Sequence, residues 1–220
     1  MENHFAPRNG VQRLVQRTEE HMQMMTPPPT PVHADIERVI VTEVQIQQRV
    51  RELGAHLGAD YAGHTLTLLG VFTGAAIFLV DLARAIAPAV TVHLDGVGVS
   101  SYGEGTTSNG RPTITQISEL SLAGRDVVLV EDIIDTGATI AFLREHVSTV
   151  WRARSVRVCA LLDKQPQLQR ADYLGFACPS LVVVGYGLDY AEAYRNLPYV
   201  GVLQPSVYQT AEPALPNPVR

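Results

Sequence analysis

The 220-residue sequence has little cysteine, no long apolar run and no strong excess of either charge. Its two cysteines, Cys159 and Cys178, do not form the pattern of a disulfide framework or a zinc site, which favours a reducing compartment. No run reaches the roughly 18 apolar residues of a membrane span, and residues 1–25 lack the apolar core of a signal peptide. We therefore expect a cytoplasmic protein with no membrane partner.

The chain is mildly acidic, with a formal net charge of −5; 18% of its residues are charged and 46% are hydrophobic. This composition is typical of a globular protein and gives no indication of a nucleic-acid partner. Proline-rich stretches near both ends divide the chain into three parts. We expect an N-terminal extension at 1–34, largely disordered or one short helix, a working domain at 35–210, and a disordered tail at 211–220.

Apolar residues repeat with both helical and strand patterns inside the working domain. Thr42 and Gln45 match a capping box ahead of a helical repeat, which predicts a helix at 43–57. Buried strands are predicted at 65–72, 90–100 and 126–131, further strands at 113–120, 155–164 and 180–188, and helices at 74–87 and around Ile140, Leu143, Val147 and Val150. This order predicts an α/β fold with a mostly parallel central sheet, which binds ligands beyond the carboxyl ends of its strands.

The stretch "VVLVEDIIDTGATI", residues 127–140, combines a buried strand with three acids, a glycine and two threonines. The helix that starts after it offers unpaired N–H groups to a phosphate, and Gly137 permits a close approach. Glu131 and Asp132 can accept hydrogen bonds from ribose hydroxyls or face a magnesium ion. The alternative is that Asp135 only caps the helix and that the other acids are solvated.

Five segments in this order resemble hypoxanthine-guanine phosphoribosyltransferases, which are type I phosphoribosyltransferases of purine salvage. They are "LLGVFTGAAIFLVDLAR", "VSSYGEGTTSNG", the acidic stretch above, "LLDK" and "VVGYGLDYAEAYRNLPYVGVL". The resemblance covers residues 36–208. It implies the type I phosphoribosyltransferase fold, with helices flanking the sheet, a small hood formed by terminal segments, and a mobile lid loop.

The resemblance also implies a reaction and roles for individual residues. A purine base displaces pyrophosphate from phosphoribosyl pyrophosphate, with Asp135 as general acid or base. Glu131 and Asp132 would bind the ribose, and the 5′-phosphate would be bound by Thr136, Gly137, Ala138 and Thr139. Pyrophosphate would be bound by Thr73, Gly74, Ser101, Tyr102 and Arg195, the purine by Lys164, Val182 and Val183, and Mg²⁺ by Asp189 with Glu131 and Asp132.

Two positions depart from the family pattern. Val182 stands where the family has an aromatic residue that stacks on the purine, and Ala138 stands where some members have a lysine. The first departure keeps a preference for xanthine or another 6-oxopurine open as an alternative. A second alternative is a non-catalytic regulatory protein that binds a nucleotide or phosphoribosyl pyrophosphate. The resemblance further implies a homodimer or homotetramer.

Overall fold

The computed structural model describes residues 31–100, 112–116 and 120–209, and all structural statements below refer to these residues. Residues from Ala34 onward form one compact unit. Most of the predicted N-terminal extension, the C-terminal tail and nearly all of the predicted lid lie outside the described residues. The predicted division into three parts therefore stays a prediction.

Nine strands and four α-helices make up the compact unit within the described residues. The strands are β1 Ile36–Val41, β2 Thr65–Phe72, β3 Thr91–Ser100, β4 Thr113–Gln116, β5 Asp126–Ile134, β6 Ser155–Asp163, β7 Tyr173–Ala177, β8 Val183–Val184 and β9 Val200–Leu203. The helices are α1 Glu43–Asp60, α2 Ala76–Ala85, α3 Ala138–Thr149 and the short α4 Pro205–Tyr208.

A six-stranded sheet forms the centre, in the order β4-β3-β2-β5-β6-β7. All of its neighbours pair in parallel except β4, which runs antiparallel to β3. One apolar cluster packs α1 and α2 against the sheet, and a second cluster packs α3 against it. Strands covered in this way need apolar side chains at successive positions, and residues 127–130 of β5 are all fully buried. The α/β fold with a mostly parallel sheet is therefore confirmed.

Local sequence signals locate the predicted elements well, with shifts at their ends. The capping box between Thr42 and Gln45 is present at the start of α1, which ends at Asp60 rather than at residue 57. The helical repeat predicts Val150 on the buried face of α3, but this is wrong, because the helix ends at Thr149 and Val150 is 58% exposed.

A separate antiparallel sheet of order β1-β9-β8 forms the hood. The strand predicted at 180–188 is only Val183–Val184, and it belongs to this small sheet. It ends there because the chain enters tight turns, in which residues 185–187 have positive φ angles. The sequence reasoning missed β1, β7 and β9. The hood has its own cluster of buried side chains, namely Ile36, Val184, Tyr199 and Leu203.

Two further features concern membrane spans and cysteines. Among the described residues, no helix has both the length and the apolar character needed to cross a membrane. Cys159 and Cys178 are both free and buried.

Candidate active site

Two acids lie buried in the second half of β5. The strand continues to Ile134, so Glu131 and Asp132 lie inside it rather than beyond its end, and they are only 7% and 9% exposed. Burial, followed by the charge of Asp132, raises the pKa of Glu131 well above its usual range. Burial also raises the pKa of Asp132. Two buried carboxyl groups with such pKa values can accept from, or donate to, the hydroxyls of a sugar.

The chain between β5 and α3 forms a tight loop at the helix N-terminus. Gly137 is the N-cap of α3 and has φ 86°, a left-handed conformation that glycine adopts without steric cost. The amide of Ala138 donates to the hydroxyl of Thr136 at 3.3 Å. No side chain caps the helix, so the alternative in which Asp135 serves as its cap is wrong. The N–H groups at this end can therefore receive an anion.

Asp135 and Lys164 face each other across the carboxyl ends of β5 and β6. The Nζ atom of Lys164 lies 3.0 Å from Oδ2 of Asp135. The lysine side chain is 16% exposed and the aspartate 63% exposed, so the pair opens to solvent on the Asp135 side. The amide of Lys164 donates to the carbonyl of Ile134 at 3.0 Å, which fixes the lysine beside the end of β5.

The loop after β2 approaches the acid pair closely. It contains a non-proline cis peptide bond between Phe72 and Thr73. A Cβ atom on Gly74 would lie only 1.9 Å from Oδ2 of Asp132, and one on Gly187 would lie 2.1 Å from the carbonyl oxygen of Gly74. Glycine is therefore required at both positions for the loop, the acids and the turn after β8 to meet.

Arg195 and Asp189 complete this side of the site. Arg195 donates to the carbonyl of Gly187 at 2.7 Å, and its guanidinium lies 2.8 Å from Oδ1 of Asp189. The other oxygen of Asp189 accepts from the amide of Glu192 at 2.8 Å. The positive charge of Arg195 also lowers the pKa of Asp132, against the larger effect of burial. A cation and a carboxylate thus stand next to the Gly74 loop.

Val182 and Val183 lie in the hood. Val183 is buried and pairs with Val202, whereas Val182 is partly buried and packs against the hood cluster. The carbonyl of Val182 accepts from the amide of Leu203 at 3.0 Å. Neither residue supplies a ring that could stack on a base.

The structure thus brings most of the predicted site residues together at the carboxyl ends of the strands, while Ser101 and Tyr102 lie outside the described residues. The sequence reasoning missed Gly187, Asp163 and Arg170. The Asp163 side chain is only 1% exposed and forms a salt bridge with Arg170, whose guanidinium lies against Gly137. Gly187, in "YGL", could have been found as a turn signal, but nothing in the sequence around Arg170 indicated that this arginine contacts Asp163 and Gly137.

Comparisons with known proteins agree on one family. The model of the phosphoribosyl transferase domain matches residues 40–191. The hypoxanthine-guanine phosphoribosyltransferase of Bacillus subtilis is 44% identical over 179 residues, which cover 80% of this chain and 98% of that protein. A hypoxanthine phosphoribosyltransferase structure from Staphylococcus aureus has a TM-score of 0.73 and 40% identity, covering 80% of this chain and 96% of the other.

Some relatives are much longer than this chain. The bifunctional protein TilS/HprT of Listeria innocua is 44% identical over 180 residues, and the chain spans only 27% of its length.

A mostly parallel sheet, with a buried acid pair and a glycine-capped helix N-terminus at its carboxyl edge, is typical of the class of type I phosphoribosyltransferases. Within that class, the Bacillus subtilis relative is named a hypoxanthine-guanine phosphoribosyltransferase and the Staphylococcus aureus structure a hypoxanthine phosphoribosyltransferase. The chain belongs to the hypoxanthine-guanine phosphoribosyltransferase family.

Proposed function

We propose that this protein transfers the phosphoribosyl group of phosphoribosyl pyrophosphate to hypoxanthine or guanine, which yields IMP or GMP and pyrophosphate. The observation that carries the proposal is the Lys164–Asp135 pair, with its 3.0 Å separation, beside the loop that starts α3. A group suited to a purine and a loop suited to a phosphate thus share one edge of the sheet. The relatives' names support the same reaction.

The phosphoribosyl half of the substrate fits the β5–α3 connection. The 5′-phosphate would accept hydrogen bonds from the amides of residues 136–139 and gain from the helix dipole. Glu131 and Asp132 would bind the ribose hydroxyls. Their burial excludes water from the carboxyl groups, so each hydrogen bond to the sugar is stronger than it would be in solvent.

The purine half fits Lys164 and Asp135. Lys164 would donate to the 6-oxo group of the base, whereas the 6-amino group of adenine would place donor against donor. A site of this kind can reject the mismatched base by about 10⁴-fold or more. Asp135 would then act at N7 of the purine as general acid or base. Its exposed carboxylate is free to move from Lys164 to the substrate.

The pyrophosphate half fits the loop of Thr73 and Gly74 together with Arg195. A guanidinium fork suits phosphate oxygens, and Arg195 already lies beside the loop through Gly187. The outer boundary of this half would include Ser101 and Tyr102, which we propose close over the reacting centre. Closure would keep water away from the activated sugar.

The donor atoms near this half fit Mg²⁺ that arrives with the pyrophosphate. Within the described residues, no three His, Cys, Asp or Glu side chains are grouped closely enough to hold a metal ion by themselves. Both oxygens of Asp189 are already engaged, so this residue would hold the ion through water. Glu131 and Asp132 offer further carboxyl oxygens on the ribose side. When bound, the ion would neutralise charge on the departing pyrophosphate.

The test is pyrophosphate release from phosphoribosyl pyrophosphate and Mg²⁺, with guanine, hypoxanthine, xanthine and adenine offered in turn. Asp135→Asn should lose most of the activity, because general acid or base catalysis contributes about 10² to 10⁴-fold. Asp60→Asn is the matched control, since Asp60 ends α1 and pairs with Arg157 instead.

Turnover with hypoxanthine or guanine, lost in Asp135→Asn and kept in Asp60→Asn, supports the proposal. Turnover with xanthine alone would assign the protein to the alternative base. Binding of phosphoribosyl pyrophosphate or a nucleotide without turnover of any base would indicate the regulatory protein. A homodimer or homotetramer remains a further part of the proposal, which sedimentation of the purified protein would test.

A further inference from the structure

Arg170 follows β6 by seven residues and returns to the ends of both β5 and β6. Its guanidinium donates to the carbonyl of Asp135 at 2.8 Å and, with the other terminal nitrogen, to the carboxylate of Asp163. A longer contact of 3.5 Å reaches the carbonyl of Ile134. The arginine side chain is only 14% exposed and Asp163 only 1% exposed. One cation therefore ties two strand ends together in a largely buried position.

Two of the residues that Arg170 contacts carry or adjoin a proposed functional group. Asp135 carries the proposed acid or base on its side chain, while its carbonyl is held by the arginine. Asp163 precedes Lys164, and its carboxylate also accepts from the amide of Gln165 at 2.7 Å, so it fixes the chain on both sides of the lysine. Through these contacts Arg170 sets where Asp135 and Lys164 stand relative to each other.

The guanidinium also lies against the phosphate-binding loop. A Cβ atom on Gly137 would lie 2.8 Å from one terminal nitrogen of Arg170. Arg170 and the loop residues 136–138 share the wall of a groove of about 670 Å³. The arginine thus packs against the loop and brings a positive charge to it, where Ala138 offers none.

A second arginine ties the same two strands together at their opposite ends. Arg154 donates to the carboxylate of Asp126 through Nε at 2.9 Å and through a terminal nitrogen. Asp126 begins β5, and Arg154 immediately precedes β6. Arg154 therefore joins the start of β5 to β6 through a guanidinium–carboxylate pair. Arg170 joins the other ends of the two strands, at the proposed site, through the Asp163 carboxylate of β6 and the main-chain carbonyls of Ile134 and Asp135.

We propose that Arg170 is a positioning residue that holds the phosphate-binding loop and the Asp135–Lys164 pair in register for the phosphoribosyl transfer. This inference rests on the proposed function. The planar fork of arginine satisfies two acceptors with fixed geometry, which the single ammonium group of lysine does not reproduce. Displacement of reacting groups by about 1 Å can cost about 10²-fold in rate.

The experiment compares the wild-type protein with Arg170→Gln, Arg170→Lys and the matched control Arg154→Gln. Three kinds of measurement are made on each protein. The first is the thermal unfolding temperature, the second is kcat and KM with guanine and phosphoribosyl pyrophosphate, and the third is the dissociation constants of GMP and guanosine by calorimetry. The ratio of the two dissociation constants isolates the part of the affinity that comes from the 5′-phosphate, without any turnover.

Positioning by Arg170 predicts that Arg170→Gln lowers kcat by about 10- to 100-fold. It also predicts that the preference for GMP over guanosine falls by at least about fivefold, because the loop loses the guanidinium that packs against Gly137. Arg170→Lys should restore only part of either loss. Arg154→Gln should lower the unfolding temperature and leave kcat and the GMP preference within about twofold of wild type.

Other outcomes would overturn the inference. One is that Arg170→Gln has the same kcat and the same preference for GMP as Arg154→Gln. The other is that Arg170→Lys has the full wild-type kcat and GMP preference, which would mean that only the positive charge matters. If Arg170→Gln does not fold, Arg170→Lys decides the question through the same two readouts. Absence of turnover in the wild-type protein would instead refute the proposed function, and the GMP preference would still report on Arg170.

Discussion

Replacing Gly74 by alanine tests whether the loop after β2 and the acid pair of β5 form one packed unit. The new Cβ would lie 1.9 Å from Oδ2 of Asp132 and 2.7 Å from its Cγ. The Asp132 carboxylate cannot easily move away, because it is 9% exposed and accepts from the amide of Ile133 at 2.7 Å. Overpacking of this kind costs about 1 to 3 kcal/mol of unfolding free energy.

The loss should appear in both stability and kinetics. We expect urea unfolding to show a decrease of about 1 to 3 kcal/mol, and kcat/KM for phosphoribosyl pyrophosphate to fall by about 10- to 100-fold. Gly58→Ala is the control, because Gly58 lies in helix α1 and its new Cβ would come no closer than 3.3 Å to its nearest neighbour, Ala87. That variant should stay within about 1 kcal/mol of wild type, since alanine favours the helix.

A double-mutant cycle identifies the group that the new methyl group at position 74 would strike. Combining Gly74→Ala with Asp132→Ala should remove the contact, so the two changes together should cost about 1 to 3 kcal/mol less than their sum. Wild-type stability and kinetics in Gly74→Ala, or strict additivity with Asp132→Ala, would refute the close packing of the loop against the acid.

Two further predictions concern the base and the opposite edge of the sheet. Val182→Phe should lower the dissociation constant of guanine by about 5- to 150-fold, because it restores a ring that can stack, and unchanged or weaker binding by calorimetry would contradict this. Asp126 is the second case: its hydrogen bond with Arg154 is the largest of the effects that lower its pKa to about 2. The stability from this pair should be fully present above the unfolded pKa of about 4 and lost as the pH falls through about 2. After allowance for solvent screening, the pair contributes about 1 to 2 kcal/mol to the unfolding free energy. The difference in unfolding free energy between wild type and Arg154→Gln should therefore shrink by that amount as the pH falls from about 5 to 2. A difference that stays constant over this range would contradict the prediction.

Local sequence signals were sufficient to predict the helices and the strands of the central sheet, except its edge strand β7. The capping box of α1 joins residues only three positions apart, and the buried strands β2 and β5 are continuous apolar runs. Such patterns follow from the geometry of one segment against a core, so a single sequence contains them. The acids, the glycine and the threonines of the β5–α3 connection could be found for the same reason.

The hood and the supporting contacts could not be predicted in this way. Strand β1 pairs with β9, which joins Ile36 to Leu203 across most of the chain. Arg170 contacts the main chain of Asp135, 35 positions earlier. These contacts depend on where the fold places distant segments, and neither leaves a periodic pattern or a turn signal. The pKa shifts of Glu131 and Asp132 likewise arise from burial that only the packed structure creates.

The central claim is that this chain joins a 6-oxopurine to the phosphoribosyl group with release of pyrophosphate. The most direct test quantifies GMP and pyrophosphate together in one reaction of the purified protein with guanine, phosphoribosyl pyrophosphate and Mg²⁺. We predict one GMP for each pyrophosphate, and at least about 10²-fold slower formation of both products when Asp135→Asn replaces the wild type. Pyrophosphate without GMP, or neither product from the wild-type protein with any 6-oxopurine, would contradict the account.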